Sequence, residues 1–145
     1  MTVMTSRAAG ADEGTRSTRF ARWIFRIAGI WGVLIMTPLY FTFDAVGRAY
    51  PPPITHPDLY YGFIGVTLAW QIAFLVIATN PIRYRPIMLA GMLEKFLYVG
   101  TMIALYLQGQ LQPGQTAAIV VPDGLIGLLF VAAFFKTPSV PGTPV

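Results

Sequence analysis

The chain has 145 residues, of which 55% are hydrophobic and only 11% are charged. This composition excludes a water-soluble domain, because too few polar residues are available to cover its surface. The net charge of +4 does not indicate nucleic-acid binding, since most arginines lie beside apolar runs, and the lack of cysteine excludes disulfides, thiolate nucleophiles and thiolate-held clusters.

Four apolar runs are long enough to cross a membrane, for which a helix needs about 20 mostly apolar residues. They cover residues 23–43, 59–79, 86–107 and 117–135. Because every backbone polar group must be paired inside lipid, we expect each run to be a helix. The sequence therefore predicts an all-α membrane protein, an up-and-down bundle of four transmembrane helices within residues 19–136.

The two ends of the chain lack periodic apolar positions. Residues 1–18, which are basic, and residues 137–145 are rich in Ser, Thr, Gly and Pro, so we predict flexible tails there. A cleaved signal peptide is the alternative interpretation of the first run. That run is longer than the roughly 7–15 apolar residues of a signal peptide, which favours a transmembrane helix.

Lysine and arginine are concentrated on one side of the predicted bundle, namely before the first run, between the second and third, and after the fourth. Positively charged loops are retained in the cytoplasm. We therefore expect both termini to be cytoplasmic in a bacterial inner membrane, with membrane lipids as partners. The side chains expected to contact lipid head groups are Arg19, Arg22, Arg26, Arg83 and Arg85.

Three ionisable residues, Glu94, Lys95 and Asp123, fall inside the predicted helices. A charged group at the centre of a membrane helix costs about 2.5–3.5 kcal/mol, so these side chains should face the bundle interior. A rise of about 1.5 Å per residue brings Gln71 to the depth of Glu94. The predicted buried polar cluster consists of Gln71, Glu94, Lys95, Tyr98 and Asp123, with Thr37 and Tyr40 near its outer edge.

Adjacent residues of a helix point about 100° apart, so we predict that Glu94 and Lys95 face different neighbours. Lys95 would then pair with Asp123, and Glu94 with Gln71 and Tyr98. Such a cluster could fix the register of the helices, or it could carry protons or contact a substrate head group. The sequence leaves both interpretations open.

Proline and glycine give two further hypotheses about the helices. Pro122 either bends the interior of the fourth helix beside Asp123 or lies in the first turn of a helix that begins later. Glycines spaced three residues apart are interpreted as positions where helix backbones pack closely. These glycines are Gly29 and Gly32, Gly62 and Gly65, and Gly124 and Gly127.

No residue pattern indicates catalysis or a cofactor. His56 is the single histidine, so a metal site is disfavoured, and no phosphate-binding glycine loop or nucleophile, histidine and acid set occurs. We therefore expect a protein that is not an enzyme and that holds no metal or other cofactor.

Several segments between Tyr60 and Tyr106 resemble small bacterial four-helix membrane proteins of the broad DoxX-like grouping. They are Tyr-Tyr-Gly-Phe-Ile-Gly from Tyr60, Trp70-Gln71, Asn-Pro-Ile-Arg-Tyr-Arg-Pro from Asn80, and Leu93-Glu94-Lys95. The resemblance implies a compact four-helix bundle in which the Trp-Gln and Glu-Lys pairs face each other. It implies no catalytic residue.

The leading functional hypothesis is a non-enzymatic bundle, acting as a small-molecule-responsive protein or as the subunit of a membrane complex, with a membrane-protein partner or further copies of itself. The alternative is an oligomeric transporter of protons or of a lipid-like substrate, with Glu94 and Asp123 as the exchangeable groups. A third hypothesis is an accessory subunit of a quinone-linked redox system.

Overall fold

The computed structural model describes residues 2–50 and 53–139, with side chains from Arg16 onward. Its elements are all helical in these ranges. They are α1 (Thr2–Met36), a 3-10 helix (Thr37–Phe41), α2 (Phe43–Ala49), α3 (Pro57–Thr79), α4 (Arg85–Leu107) and α5 (Pro113–Lys136).

Four of the described helices are long and apolar enough to cross a membrane. They are Arg16–Phe41, Pro57–Thr79, Arg85–Leu107 and Pro113–Lys136. Large apolar side chains, such as Leu34, Leu97 and Leu128, are more than half exposed along them, which suits contact with acyl chains. The prediction of a four-helix membrane protein is confirmed in this respect.

The helix bounds differ from the prediction mainly at the N-terminus. α1 begins at Thr2, whereas we predicted a tail through residue 18 and a helix from residue 23. The sequence before Pro38 contains no proline, and Ala8, Ala9 and Ala11 have high helix propensity, so nothing there ends the helix. The flexibility of residues 1–18 stays a prediction. At the other end, 137–139 are not helical, and the rest of the predicted tail lies outside the described residues.

At the end of the first span, α1 breaks into a 3-10 helix, and a group of aromatic side chains packs around this break. Pro38 lies in the first turn of the 3-10 helix, and α1 stops at Met36, short of the predicted residue 43. The Tyr60 hydroxyl of α3 donates a hydrogen bond to the Leu39 carbonyl over 2.9 Å, which satisfies a backbone acceptor at the break. Around it, Tyr61 contacts the rings of Tyr40, Phe43 and Tyr60, and Phe43 also contacts Tyr60, with ring centroids 5.1–6.0 Å apart in these pairs.

The helices pack unevenly around the bundle. α1 packs closely on α3, α4 packs closely on α5, and α1 also packs on α5, whereas the consecutive helices α3 and α4 make few contacts. We call the line between α3 and α4 the seam. Side-chain contacts that cross it include Phe74 toward Gly91 and, farther from the α3–α4 loop, Phe63 stacked on Tyr98 with ring centroids 5.9 Å apart.

The buried core occupies the half of the bundle that contains the α3–α4 loop. Its centre is formed by three fully buried rings, Phe25 of α1, Phe74 of α3 and Phe130 of α5, which we call the aromatic core. Phe25 stacks on Phe130 at 4.1 Å, and Phe74 meets Phe130 edge-on at 4.8 Å. Aromatic pairs of this geometry add about 0.5–1.5 kcal/mol each beyond the area they bury, so this half of the bundle is held most firmly.

Glycine permits close packing at some of the predicted positions only. A Cβ atom on Gly29 or Gly32 of α1 would collide with Leu75 or Gln71 of α3, and one on Gly127 of α5 would lie 3.3 Å from the Lys95 Cβ atom of α4. Gly62 and Gly124 have no atom within 4 Å of such a Cβ atom, so the packing interpretation was wrong for them.

Replacing Gly29 by alanine should destabilise the bundle. The new methyl would lie 2.8 Å from Leu75 Cδ2 and 2.9 Å from the Gln71 carbonyl oxygen, which forces α1 and α3 apart. Overpacking of this kind costs about 1–3 kcal/mol, measurable as a lower thermal unfolding temperature in detergent. Gly62→Ala is the matched control, because the methyl meets open space there and helix propensity favours alanine by about 1 kcal/mol. Equal unfolding temperatures for the two variants would contradict the α1–α3 packing.

Candidate functional site

Three charged side chains from two helices meet inside the bundle. The Lys95 Nζ atom lies 3.3 Å from Asp123 Oδ1 and 3.4 Å from Glu94 Oε2. The Lys95 side chain is only 7% exposed, compared with 17% for Glu94 and 23% for Asp123. We call these residues the charged triad. Its ammonium group thus has two carboxylate partners, and a buried cation needs at least one.

Lys95 and Asp123 join α4 to α5. They can pair because the two helices pack closely at this level. Gly127 lies one turn after Asp123, and the Lys95 Cβ atom packs where a side chain on that residue would stand. The Lys95 side chain therefore starts against α5 and needs little extension to donate a hydrogen bond to Asp123. A sequence can place the two charges at similar depths but does not show this close backbone approach.

Glu94 does not pair as predicted. We expected it to meet Gln71 and Tyr98, but the Gln71 amide nitrogen donates to the Thr67 carbonyl over 3.1 Å. Glu94 instead lies beside Lys95, because the long lysine side chain bends back over its neighbour and overcomes the angle between them. Its Oε2 atom is buried and, among the described residues, accepts no hydrogen bond, since Lys95 approaches it with unsuitable geometry.

The triad rests on the aromatic core. The Lys95 Nζ atom lies 5.7 Å from the centre of the Phe74 ring, within the range of a cation–π interaction. The rings below it close the bundle toward the α3–α4 loop, so the open space near the triad lies on its other side. The triad thus forms a boundary between a packed half and a looser half of the bundle.

A cavity of about 500 Å³ lies against the triad. Gln71 and Tyr98 of the predicted polar cluster also line it, together with all three triad residues. Its remaining wall is mostly apolar, from α1, α3, α4 and α5, and its rim on the seam includes side chains that are also exposed on the membrane-facing surface. These rim residues are Val66, at 63% exposure, Leu93, at 58%, and Leu97, at 61%.

Sequence reasoning missed the aromatic lining of this cavity. Trp31, Phe63 and Trp70 line it, from α1 and α3. Trp70 directly precedes Gln71, and a tryptophan beside a buried amide was the signal that could have placed it there. Trp31 and Phe63 carried no such signal, because an aromatic residue in an apolar run is equally suited to lipid.

The predicted outer edge of the polar cluster is wrong. Thr37 and Tyr40 are exposed and do not line the cavity. Both residues lie in the 3-10 helix that follows Met36, and the Tyr40 ring stacks on Tyr61 instead, with centroids 6.0 Å apart. The prediction of one regular helix through residue 43 gives both side chains directions that they do not have in the 3-10 helix.

Pro122 lies inside a helix, which decides between the two interpretations of it. α5 begins at Pro113, earlier than the predicted residue 117, and Gln112 and Gln115 cap its first turn with reciprocal hydrogen bonds. Asp123 therefore lies within the span. A proline in a helix interior removes one backbone donor and favours a bend at that level.

The arginines predicted to contact lipid are divided between two environments. Arg19, Arg22, Arg26 and Arg83 are exposed. Arg85 instead lies 3.9 Å above the Phe134 ring, and its Nε atom donates to the Phe134 carbonyl, so it stabilises the end of α5.

Within residues 16–50 and 53–139, no group of three histidine, cysteine, aspartate or glutamate side chains lies close enough to hold a metal ion. No protein-family model, curated protein or solved structure matches the chain. The resemblance to the DoxX-like grouping therefore stays a prediction.

Removal of the lysine charge alone should unfold or strongly destabilise the protein. Lys95→Met leaves two carboxylates facing each other without a cation, and breaking a buried ion pair in this way costs about 3–5 kcal/mol. The triple change Glu94→Gln, Lys95→Met and Asp123→Asn leaves no charge and should recover most of that loss. Thermal unfolding in detergent measures both variants. A triple variant as unstable as Lys95→Met would show that shape, not charge balance, holds the site.

Proposed function

We propose that this chain is a non-enzymatic, multi-pass membrane protein that binds a small amphiphilic molecule from the bilayer in the cavity beside the charged triad. The observation that carries the proposal is the position of Glu94. Its carboxylate lines the cavity, and its buried Oε2 atom accepts no hydrogen bond from the described residues. A ligand head group that supplies a donor would stabilise this carboxylate where it lines the cavity.

A purely structural role accounts for only part of the triad. The pair formed by Lys95 and Asp123 joins α4 to α5 and fixes their register. Glu94 belongs to the same helix as Lys95 and is adjacent to it, so it adds nothing to the joining of two helices. A second carboxylate beside one lysine is costly to keep within the membrane, and ionisable groups there often mark binding or transport sites.

The shape and surface of the cavity support a ligand with one polar end. Its volume of about 500 Å³ lies within the range of small-molecule sites. The polar atoms are gathered at the inner wall, whereas Val66, Leu93 and Leu97 form an apolar rim that is itself exposed. A molecule dissolved among the acyl chains could place its head group on the triad and leave its apolar part at the rim.

Transport is the second candidate, and one observation favours it. Pro122 precedes Asp123 in the interior of the continuous helix α5, and prolines within apolar membrane segments are a feature of transporter binding sites. An oligomer that carries protons or a lipid-like substrate would use Glu94 and Asp123 as the exchangeable groups. Flux into vesicles that Glu94→Gln abolishes while the fold is retained would support transport over binding alone.

We also propose that the protein lies in a bacterial inner membrane with both termini in the cytoplasm. Arg83, Arg85 and Lys136 lie at the ends of α3, α4 and α5 that surround the packed half, and Arg19 and Arg22 lie on α1 at the same end. Positive charge is retained on the cytoplasmic side, and the exposed arginines would contact anionic lipid. An additional membrane-protein partner or further copies of the chain are compatible with this placement.

Cysteine labelling tests this orientation directly, because the natural chain contains no cysteine. Gln110→Cys in the α4–α5 loop should react with a membrane-impermeant maleimide in intact cells. Asn80→Cys in the α3–α4 loop and Ser139→Cys should react only after the membrane is permeabilised. The reverse pattern would contradict cytoplasmic termini.

Blocking the cavity should remove the bound amphiphile. Ala90 lines the cavity one turn before Glu94, so Ala90→Trp would fill it, and Val66→Trp would block the rim at an exposed position that tolerates a large side chain. Native mass spectrometry after mild detergent extraction should detect a small-molecule adduct on the natural protein and lose it in both variants. Leu128→Trp, on an exposed face of α5 that does not line this cavity, is the matched control and should keep the adduct. An adduct that persists in both blocking variants would contradict the proposal.

A further inference from the structure

We infer that the amphiphile is a small lipophilic amine or a comparable organic cation. This inference rests on the proposed function, because it names the chemical class of the molecule that the cavity would bind. The charge balance of the triad, the Glu94 carboxylate and the aromatic lining of the cavity support it.

The charge balance of the cavity is negative. Of the residues that line it, Glu94, Lys95 and Asp123 are the charged ones, so with all three ionised the wall carries one negative charge in excess. Within an apolar bundle that excess is poorly screened, and a single positive charge on the ligand would compensate it. A neutral ligand would leave the excess in place, and an anionic ligand would double it.

The carboxylates that line the cavity favour the same charge. Lys95 is the most buried member of the triad, and its ammonium group already lies within 3.4 Å of both carboxylates, so it offers little to an anion. The Glu94 Oε2 atom accepts no hydrogen bond from the described residues and is itself enclosed, so a ligand meets the Glu94 carboxylate where that side chain lines the cavity. An ammonium group would donate to this carboxylate, and a charge-assisted hydrogen bond of this kind is among the stronger ones in proteins.

Aromatic rings supply the second contribution. Trp31, Phe63, Trp70 and Tyr98 line the cavity around the triad. The faces of such rings attract cations, and the attraction is larger where water is excluded. Rings also accept apolar groups of many shapes, so this wall suits an organic cation better than a small hydrated ion.

An ammonium group could belong to an aminophospholipid of the bilayer or to a smaller amine dissolved in it. We commit to the smaller amine. The phosphate of an aminophospholipid would come close to Glu94 and Asp123 together with its amine, and like charges at such a distance repel each other in a medium of low polarity. A ligand with a positive charge and no phosphate avoids this cost.

Three probes with one fluorophore and different charges test the inference. They are dansylcadaverine, which carries an amine, its N-acetyl derivative, which is neutral, and dansylaminohexanoic acid, which is anionic. Fluorescence anisotropy is measured with the full chain in phosphatidylcholine nanodiscs, with empty nanodiscs as the background. We expect dansylcadaverine to bind at least about tenfold more tightly than either other probe, the factor that about 1.4 kcal/mol of charge-assisted bonding gives.

Two carboxylate variants locate the effect. Glu94→Gln keeps the shape of the side chain and removes the excess charge, and it should weaken the binding of dansylcadaverine by about tenfold or more while leaving the neutral probe unchanged. Asp58→Asn removes an exposed carboxylate in the first turn of α3, away from the cavity, and should change neither affinity. If Glu94→Gln fails to fold, the comparison of the three probes on the natural protein decides alone.

The inference is overturned if the neutral or the anionic probe binds as tightly as dansylcadaverine, or if none of the three binds. It is also overturned if raising the phosphatidylethanolamine content of the nanodiscs displaces dansylcadaverine, because the aminophospholipid would then be the ligand. The adduct measured in the cavity-blocking variants tests the proposed function separately. An adduct lost on blocking, with no preference for the amine probe, would keep the proposed function and remove only the ligand class.

Discussion

The organisation of this protein depends on one buried cation. A lysine ammonium group inside a membrane bundle needs a carboxylate beside it, and Lys95 has one on its own helix and one on α5. The pair with Asp123 joins α4 to α5, and Gly127 makes their close approach possible. The second carboxylate, on Glu94, exceeds what the cation requires. Because of this second carboxylate, the triad is a candidate ligand site and not only a contact that packs two helices together.

Stability and binding occupy different halves of the bundle. The stacked rings of Phe25, Phe74 and Phe130 fill the interior on one side of the triad, where the helix ends also gain from contacts such as that of Arg85 with Phe134. On the other side, the buried side chains are few, and space remains between the helices. Because packed interiors tolerate little change of volume, a site able to accept different ligands is best placed outside them. The triad lies at the border and contributes to both halves.

The sequence predicted the spans well and the side-chain partners less well, for different physical reasons. Span length follows from the thickness of the bilayer and from backbone hydrogen bonding, both of which act on whole segments. The pairing of Glu94 depended on the course of one long lysine side chain and on how closely two helices approach, and neither follows from the periodicity of a single helix. The error at Thr37 and Tyr40 had a local cause, since Pro38 ended α1 inside a run that hydropathy treats as continuous. At the other end of α1, alanine residues near the N-terminus favour helix, so α1 begins earlier than predicted.

The loose packing between α3 and α4 has a geometric consequence, because these two helices are joined by a short loop. Phe74 against Gly91 holds them together near that loop, and the cavity lies farther along, beside the stacked rings of Phe63 and Tyr98. The gap beside Val66 and Leu97 therefore faces the leaflet that is remote from the α3–α4 loop. With the proposed orientation this is the outer leaflet. A molecule that partitions into one leaflet more than the other would then meet the protein at a rate set by that asymmetry.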